Sequence, residues 1–169
     1  MSAGNAPALY ERIRSDQPLT QELFRQALQD PSGALNRICD LGEEMGVTFT
    51  LENLNPIDHP GCPFGSTEAV LSLVSAVNRP QLRINLDLYH TQIGEGDLIR
   101  WCRACLPWIG EVQVADNPGR CEPGTGEINY RGVALALKDM GYTGPVAMEA
   151  FAKGDEEAAL EAFRTAFTV

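Results

Sequence analysis

Leu82-Arg83-Ile84-Asn85-Leu86-Asp87 decides how this chain is read. Apolar and polar residues alternate along it, and the run ends in a carboxylate. Such alternation marks a β-strand. Three further short runs are likewise β-branched or apolar and end in an oxygen ligand: Val47-Thr48-Phe49-Thr50-Leu51-Glu52, Ile109-Gly110-Glu111-Val112-Gln113 and Pro145-Val146-Ala147-Met148-Glu149. Helix-like sequence follows each run, which is the signature of βα units and a parallel sheet. The carboxyl ends of such strands gather on one rim, where chemistry sits. Glu52, Asp87, Gln113 and Glu149 are therefore expected to converge. Three carboxylates and one amide form an all-oxygen donor set suited to Mg²⁺ or Mn²⁺.

Outward from these runs, the intervening segments supply helices and loops. Thr20 to Gln29 reads as a helix, and Asp30-Pro31-Ser32-Gly33 breaks it. A second helix is expected from Ala34 to Met45, stopped by Gly46. The long segment 53–66 holds Pro56, Pro60, Gly61, Pro63 and Gly65, and loops of that length are often functional. Thr67 is a suitable N-cap for the helix that follows. Leu88 to Glu95 reads as the loop after the second strand, and Asp97 opens the next helix. A second Gly- and Pro-rich loop spans 115–128, ahead of helices at Tyr130–Met140 and at about Asp155–Thr165. The division expected is an irregular or helical extension over residues 1–33 and one domain over residues 34–169.

The strand-end ligands stand 35, 26 and 36 residues apart, which are βα-unit lengths. A closed (β/α)₈ barrel takes about 200 residues or more. With 169 residues and four well-marked strands, the expected fold is α/β: half of a TIM barrel, about four parallel strands with crossover helices.

Bulk properties narrow the function. Thirteen Lys and Arg against 23 Asp and Glu give a net charge of −10, which disfavours a nucleic-acid partner. The longest apolar stretches are strand-length, so no membrane span is expected. The first residues lack an apolar leader segment, and a cytoplasmic location is the expectation. Of the five cysteines, Cys102 and Cys105 have CxxC spacing inside a helical pattern and no second such pair exists, so reduced, non-ligating thiols are expected.

Four strings carry a more specific signal. Leu51-Glu52-Asn53-Leu54-Asn55, Leu86-Asp87-Leu88-Tyr89-His90-Thr91-Gln92, Val112-Gln113-Val114-Ala115-Asp116-Asn117-Pro118-Gly119-Arg120 and Glu122-Pro123-Gly124-Thr125-Gly126-Glu127-Ile128-Asn129-Tyr130 resemble the hydroxypyruvate isomerase family, within the xylose-isomerase-like TIM barrels. The resemblance runs from about residue 34 to residue 150 and covers that family's C-terminal half. It implies a divalent metal on Glu52, Asp87, Gln113 and Glu149, with Glu52 and Glu149 also serving as the acid/base pair.

The implied reaction moves a proton between adjacent carbons through an enediol, with an acid and a base on its two sides and a metal on its oxygens. The expected activity interconverts hydroxypyruvate and 2-hydroxy-3-oxopropanoate, or a related small hydroxy or keto acid. His90 could hydrogen-bond substrate oxygens, or simply cap or pack as a buried neutral ring. Arg120 could hold a substrate carboxylate in a bidentate contact, or pair with Glu122 or Glu127. His59 is expected to face solvent. The alternative is a non-enzyme: an inactive, truncated homologue acting as a binding or assembly subunit. An abasic-site endonuclease of the same superfamily is disfavoured, because its histidine-rich zinc site has no counterpart in a chain with two histidines.

Val47, Phe49, Leu82, Ile84, Val112, Val114, Val146 and Met148 are expected to fill a barrel interior. Exposing them in a half-barrel predicts a homodimer, or a partner completing the barrel.

Overall fold

The computed structural model describes residues 29–169. The helix expected at Thr20–Gln29 and most of the 1–33 extension lie outside those residues. Among the described residues the elements run α1 (Pro31–Met45), β1 (Phe49–Glu52), α2 (Thr67–Val77), β2 (Leu82–Asp87), α3 (Leu88–Gly94), α4 (Leu98–Cys105), a 3₁₀ turn (Leu106–Trp108), β3 (Ile109–Val114), α5 (Tyr130–Asp139), β4 (Val146–Met148) and α6 (Glu156–Phe167). The strands form one parallel sheet in the order β1-β2-β3-β4. With four strands it is not closed, as a partial barrel requires.

Several boundaries differ from the expectation. Asp30 is non-helical between the helical Gln29 and Pro31, and the helix expected from Ala34 starts earlier, at Pro31. Asp30 Oδ1 accepts from Gly33 N at 3.0 Å, and Pro31 occupies the first turn, where its missing N–H costs nothing. Thr67 is the first residue of α2 and not its cap: Ser66 Oγ accepts from Ala69 N at 3.1 Å, and the Glu95 carboxylate accepts from Thr67 N at 2.7 Å. Leu88–Gly94 is a helix and not a loop, because Asp87 ends its strand and caps the next turn at once. β3 continues to Val114, and Glu149 lies one residue beyond β4.

The described chain forms two compact units. The first comprises residues 29–51 and Ser72–Arg83. Ala34, Leu35, Cys39, Val74 and Leu82 are buried there. Arg79 ties its segments together, pairing with Asp40 and, at 2.9 Å, with Glu43 Oε2. The second unit comprises Glu52–Leu71 and Ile84–Val169. Its core is Ile84, Leu86, Leu88, Cys102, Cys105, Val112, Val114, Val133 and Leu137. Fully burying one such aliphatic side chain contributes roughly 1.5–3 kcal/mol. Among the described residues, no helix is long and apolar enough to cross a membrane.

Register assigns the two faces of the sheet. Leu86 pairs with Val112 and Asp87 with Gln113, while Gln113 pairs with Ala147 and Val114 with Met148. Side chains alternate with period two. One face therefore carries Leu82, Ile84, Leu86, Val112, Val114, Val146 and Met148. The other carries Asn85, Asp87, Glu111, Gln113 and Ala147. Leu82, Ile84, Val112 and Val114 are at most 1% exposed. They are already covered, so they do not fill an open barrel interior. The face expected to be apolar and uncovered is polar instead.

Candidate active site

Asp87 anchors the site. It closes β2 and its Oδ1 accepts from His90 N at 3.1 Å, so one carboxylate oxygen caps α3 while Oδ2 accepts from Arg120 Nη2 at 3.4 Å. Its backbone is clamped by Asn53: Oδ1 accepts from Asp87 N at 2.9 Å and Nδ2 donates to Asp87 O at 3.1 Å. Asn53 Nδ2 also reaches Thr91 Oγ1 at 3.0 Å. Burial pushes the Asp87 carboxyl up to about 7, opposed by the His90 N–H and by Arg120.

Around Asp87 the structure brings four further side chains together. Glu52, at the end of β1, lies 3.6 Å from His90 Nε2, and His90 Nε2 lies 3.8 Å from Asp87 Oδ2. Ligand-type atoms of Glu52, Asp87 and His90 all fall within 4.8 Å of one another. Arg120 Nη2 donates to Glu149 Oε2 at 2.5 Å and sits 3.4 Å from Asp87 Oδ2, while Nη1 sits 2.9 Å from His90 Nε2. Its guanidinium also stacks over Tyr89, 4.9 Å from the ring centre. Glu52 is raised by burial first and by repulsion from Glu149 second. Burial lowers His90 to about 4, with help from Arg120, so its ring is neutral near pH 7.

Gln113 stands beside Asp87 on the neighbouring strand, on the same face. Its Oε1 is buried and has no hydrogen-bond partner. A buried amide oxygen without a donor is costly, and a cation is one way to satisfy it. Glu52 and Asp87 lie within ligand distance of each other, Gln113 stands next to Asp87, and Glu149 is joined to Asp87 through Arg120; oxygen donors of this kind are those a hard divalent ion takes.

These groups open onto a cleft of ≈ 450 Å³ lined by Glu52, Leu54, His59, His90, Arg120, Glu149, Ala150 and Phe151. His59 is exposed, yet its ring meets His90 edge-on at 5.2 Å. Arg120 does not pair with Glu122 or Glu127. Glu122 accepts from Lys153 N, and Glu127 from Asn117 and Gln92. The loop that presents Arg120 is organised by Asp116, which is fully buried and accepts from the backbone N–H groups of Asn117, Gly124 and Ile128 at 2.8–3.0 Å.

Sequence reasoning gave no role to Asn53, Asn55 or Asp116. Their signal was present, since short polar side chains after a strand often bond to nearby backbone. That signal does not say which backbone, 34 residues away in the case of Asn53 and Asp87.

Comparison with known proteins bears on the family and the fold. Residues 7–166 match the family described as xylose isomerase-like TIM barrel. The chain is 38% identical over 103 residues to hydroxypyruvate isomerase of Escherichia coli K12, covering 61% of this chain and 40% of that protein. It is 34% identical over 119 residues to 2-oxo-tetronate isomerase of Haemophilus influenzae, covering 70% of this chain and 46% of the relative. Among solved structures, the Brucella melitensis protein titled AP endonuclease, family 2, superposes with a TM-score of 0.73 at 33% identity, over 79% of this chain and 54% of that one. The chain thus spans about half the length of the relatives it matches.

Proposed function

The chain belongs to the xylose isomerase-like TIM barrel family, and from that premise we propose that it is a metal-dependent isomerase of small sugar acids. Hydroxypyruvate and 2-hydroxy-3-oxopropanoate are the proposed pair, with a 2-oxo-tetronate-type acid as the close relative. The observation that carries the reading is the placement of Glu52 and Glu149 on one cleft, flanking His90 and Arg120.

Glu52, Asp87, Gln113 and Glu149 would hold Mg²⁺ or Mn²⁺. The ion would polarise the substrate's carbonyl and hydroxyl oxygens and make the adjacent C–H more acidic. Arg120 is the local cation that binds the substrate carboxylate, which the chain's net charge of −10 would otherwise repel. Glu149, already paired with Arg120, takes the proton from the hydroxyl-bearing carbon. Glu52, which lines the same cleft, returns one to the neighbouring carbon. His90 contacts an enediol oxygen. One proton moves between the two carbons and one between the two oxygens, and Glu149 then loses its proton to water while Glu52 regains one from it, so atoms balance.

The test is proton exchange. Purified protein with Mg²⁺ or Mn²⁺ is incubated with hydroxypyruvate in D₂O, and deuterium entry at carbon is followed by NMR. Isomer formation with exchange is expected. Ion binding without exchange or turnover would overturn the isomerase and leave a binding or assembly subunit.

Self-association is part of the reading, on a ground different from the sequence expectation. Among the described residues β1 and β4 are the edges of an open sheet, and open edges pair. A second copy of this chain is the proposed partner. Light scattering at micromolar concentration should give a dimer, and a well-behaved monomer would rule it out.

A further inference from the structure

Asn55 makes the contact that decides which nitrogen of His90 carries the proton. Its side-chain Nδ2 lies 2.6 Å from His90 Nδ1, and both residues are at most 2% exposed. The orientation of the Asn55 amide is not free. Oδ1 accepts from Ile57 N at 3.0 Å and from Asp58 N at 2.8 Å, while Nδ2 donates to Asp58 Oδ2 at 2.9 Å. Turning the amide over would set an oxygen against a carboxylate and an NH₂ group against two N–H donors. Asp58 is held in turn by the Tyr89 hydroxyl at 3.1 Å. The rings of His59 and Tyr89 each meet the imidazole edge-on at 5.2 Å, which restricts its rotation.

A neutral imidazole has one acceptor nitrogen and one donor nitrogen. Here donors approach both: Asn55 at Nδ1 and Arg120 at Nε2, 2.9 Å away. Only one can be accepted. Asn55 is pinned by three other hydrogen bonds, whereas Arg120 has carboxylate partners in Glu149 and Asp87.

We infer that Asn55 is a positioning residue that fixes His90 in the tautomer with a free lone pair on Nδ1 and the proton on Nε2. Two consequences follow. His90 Nε2 is a hydrogen-bond donor aimed toward Glu52 and Asp87, so it does not ligate a metal, although it lies within 4.8 Å of their carboxylates. It is instead built to donate to an oxygen in the cleft, and the identity of that oxygen as the substrate's rests on the isomerase reading above. Arg120 faces a donor at Nε2 and gains by leaving that contact for an anionic ligand.

The chain has two histidines, so the test is direct. Long-range ¹H–¹⁵N spectra are recorded on the metal-free protein without substrate, with His59→Gln used to assign His90. The expected result is an unprotonated, pyridine-type Nδ1 and a protonated, pyrrole-type Nε2. The reverse pattern, with Arg120 as the winning donor, or a doubly protonated ring would overturn the inference. Asn55→Asp offers an acceptor at Nδ1 and should invert the two signals, with kcat lowered on the order of 100-fold. A folded Asn55→Asp protein that keeps the wild-type pattern would also overturn it. Since neither ion nor substrate is present in these spectra, a failed exchange assay beside the expected tautomer would remove the isomerase and leave the assignment standing.

Discussion

Arg120 joins Glu149 at 2.5 Å while its other contacts reach Asp87 and His90, so a guanidinium lies among the carboxylates that would hold the proposed ion. Protein cation and metal ion then compete for the same negative charge. Arg120→Ala should tighten Mn²⁺ binding by roughly tenfold, since 1.4 kcal/mol of relieved repulsion corresponds to that factor. The same variant should bind hydroxypyruvate more weakly. Calorimetric titration with Mn²⁺ alone and with the acid checks both halves. Weaker Mn²⁺ binding by the variant would show that Arg120 supports the ion and does not compete with it.

Asp87 has two tasks that one substitution separates. Asp87→Asn keeps an oxygen for His90 N, and asparagine caps helices about as well as aspartate. Thermal stability of the metal-free protein should therefore not fall. Mn²⁺ affinity should drop by at least tenfold, because an anionic ligand is gone. A melting curve beside a Mn²⁺ titration measures the two effects.

The proton transfers depend on two glutamates. Glu52→Gln and Glu149→Gln should each reduce kcat by about 10²–10⁴, the range for loss of a general acid or base. His90→Asn, which retains a donor, should cost less. Near-normal turnover in either glutamate variant would remove that residue from the chemistry.

Cys102 and Cys105 are fully buried, and burial pushes both thiols up to about 12. Burial also pushes the Tyr142 hydroxyl up to about 12, where it donates to Pro145 O. In the unfolded chain the thiols ionise near 9 and the tyrosine near 10. The folded state therefore binds more protons between those values and 12, and stability must fall as pH rises through that window. Urea midpoints should decline as pH rises above 9. Native protein should leave Cys102 and Cys105 unlabelled by a thiol reagent at pH 8.

Gly126 is a steric requirement of the loop that presents Arg120. A Cβ there would stand 2.3 Å from Asn117 O and 2.6 Å from Asp116 Oδ1. Backbone on one side and a triply bonded carboxylate on the other cannot give way cheaply. Gly126→Ala should destabilise the protein by about 2–4 kcal/mol, and a denaturation curve reads it.

The short β-branched and apolar runs and their spacing by themselves determined the four strands, their βα order and the oxygen residues at their ends. These are local properties: a short run of this composition marks a strand wherever it folds, and residues such as Asp87 declare the strand's limit. Which face those strands bury was not local. Val112 and Gln113 differ by one position, and only the pairing of Gln113 with Asp87 shows that valine meets the helices and glutamine the polar face. Only the tertiary structure decided that Arg120 turns to Glu149 and away from Glu122 and Glu127, because the two partners are 29 residues apart. The roles of Asn53 and Asn55 were equally out of reach. An asparagine can serve any donor or acceptor near it, and folding alone brings Asp87 and His90 to these two.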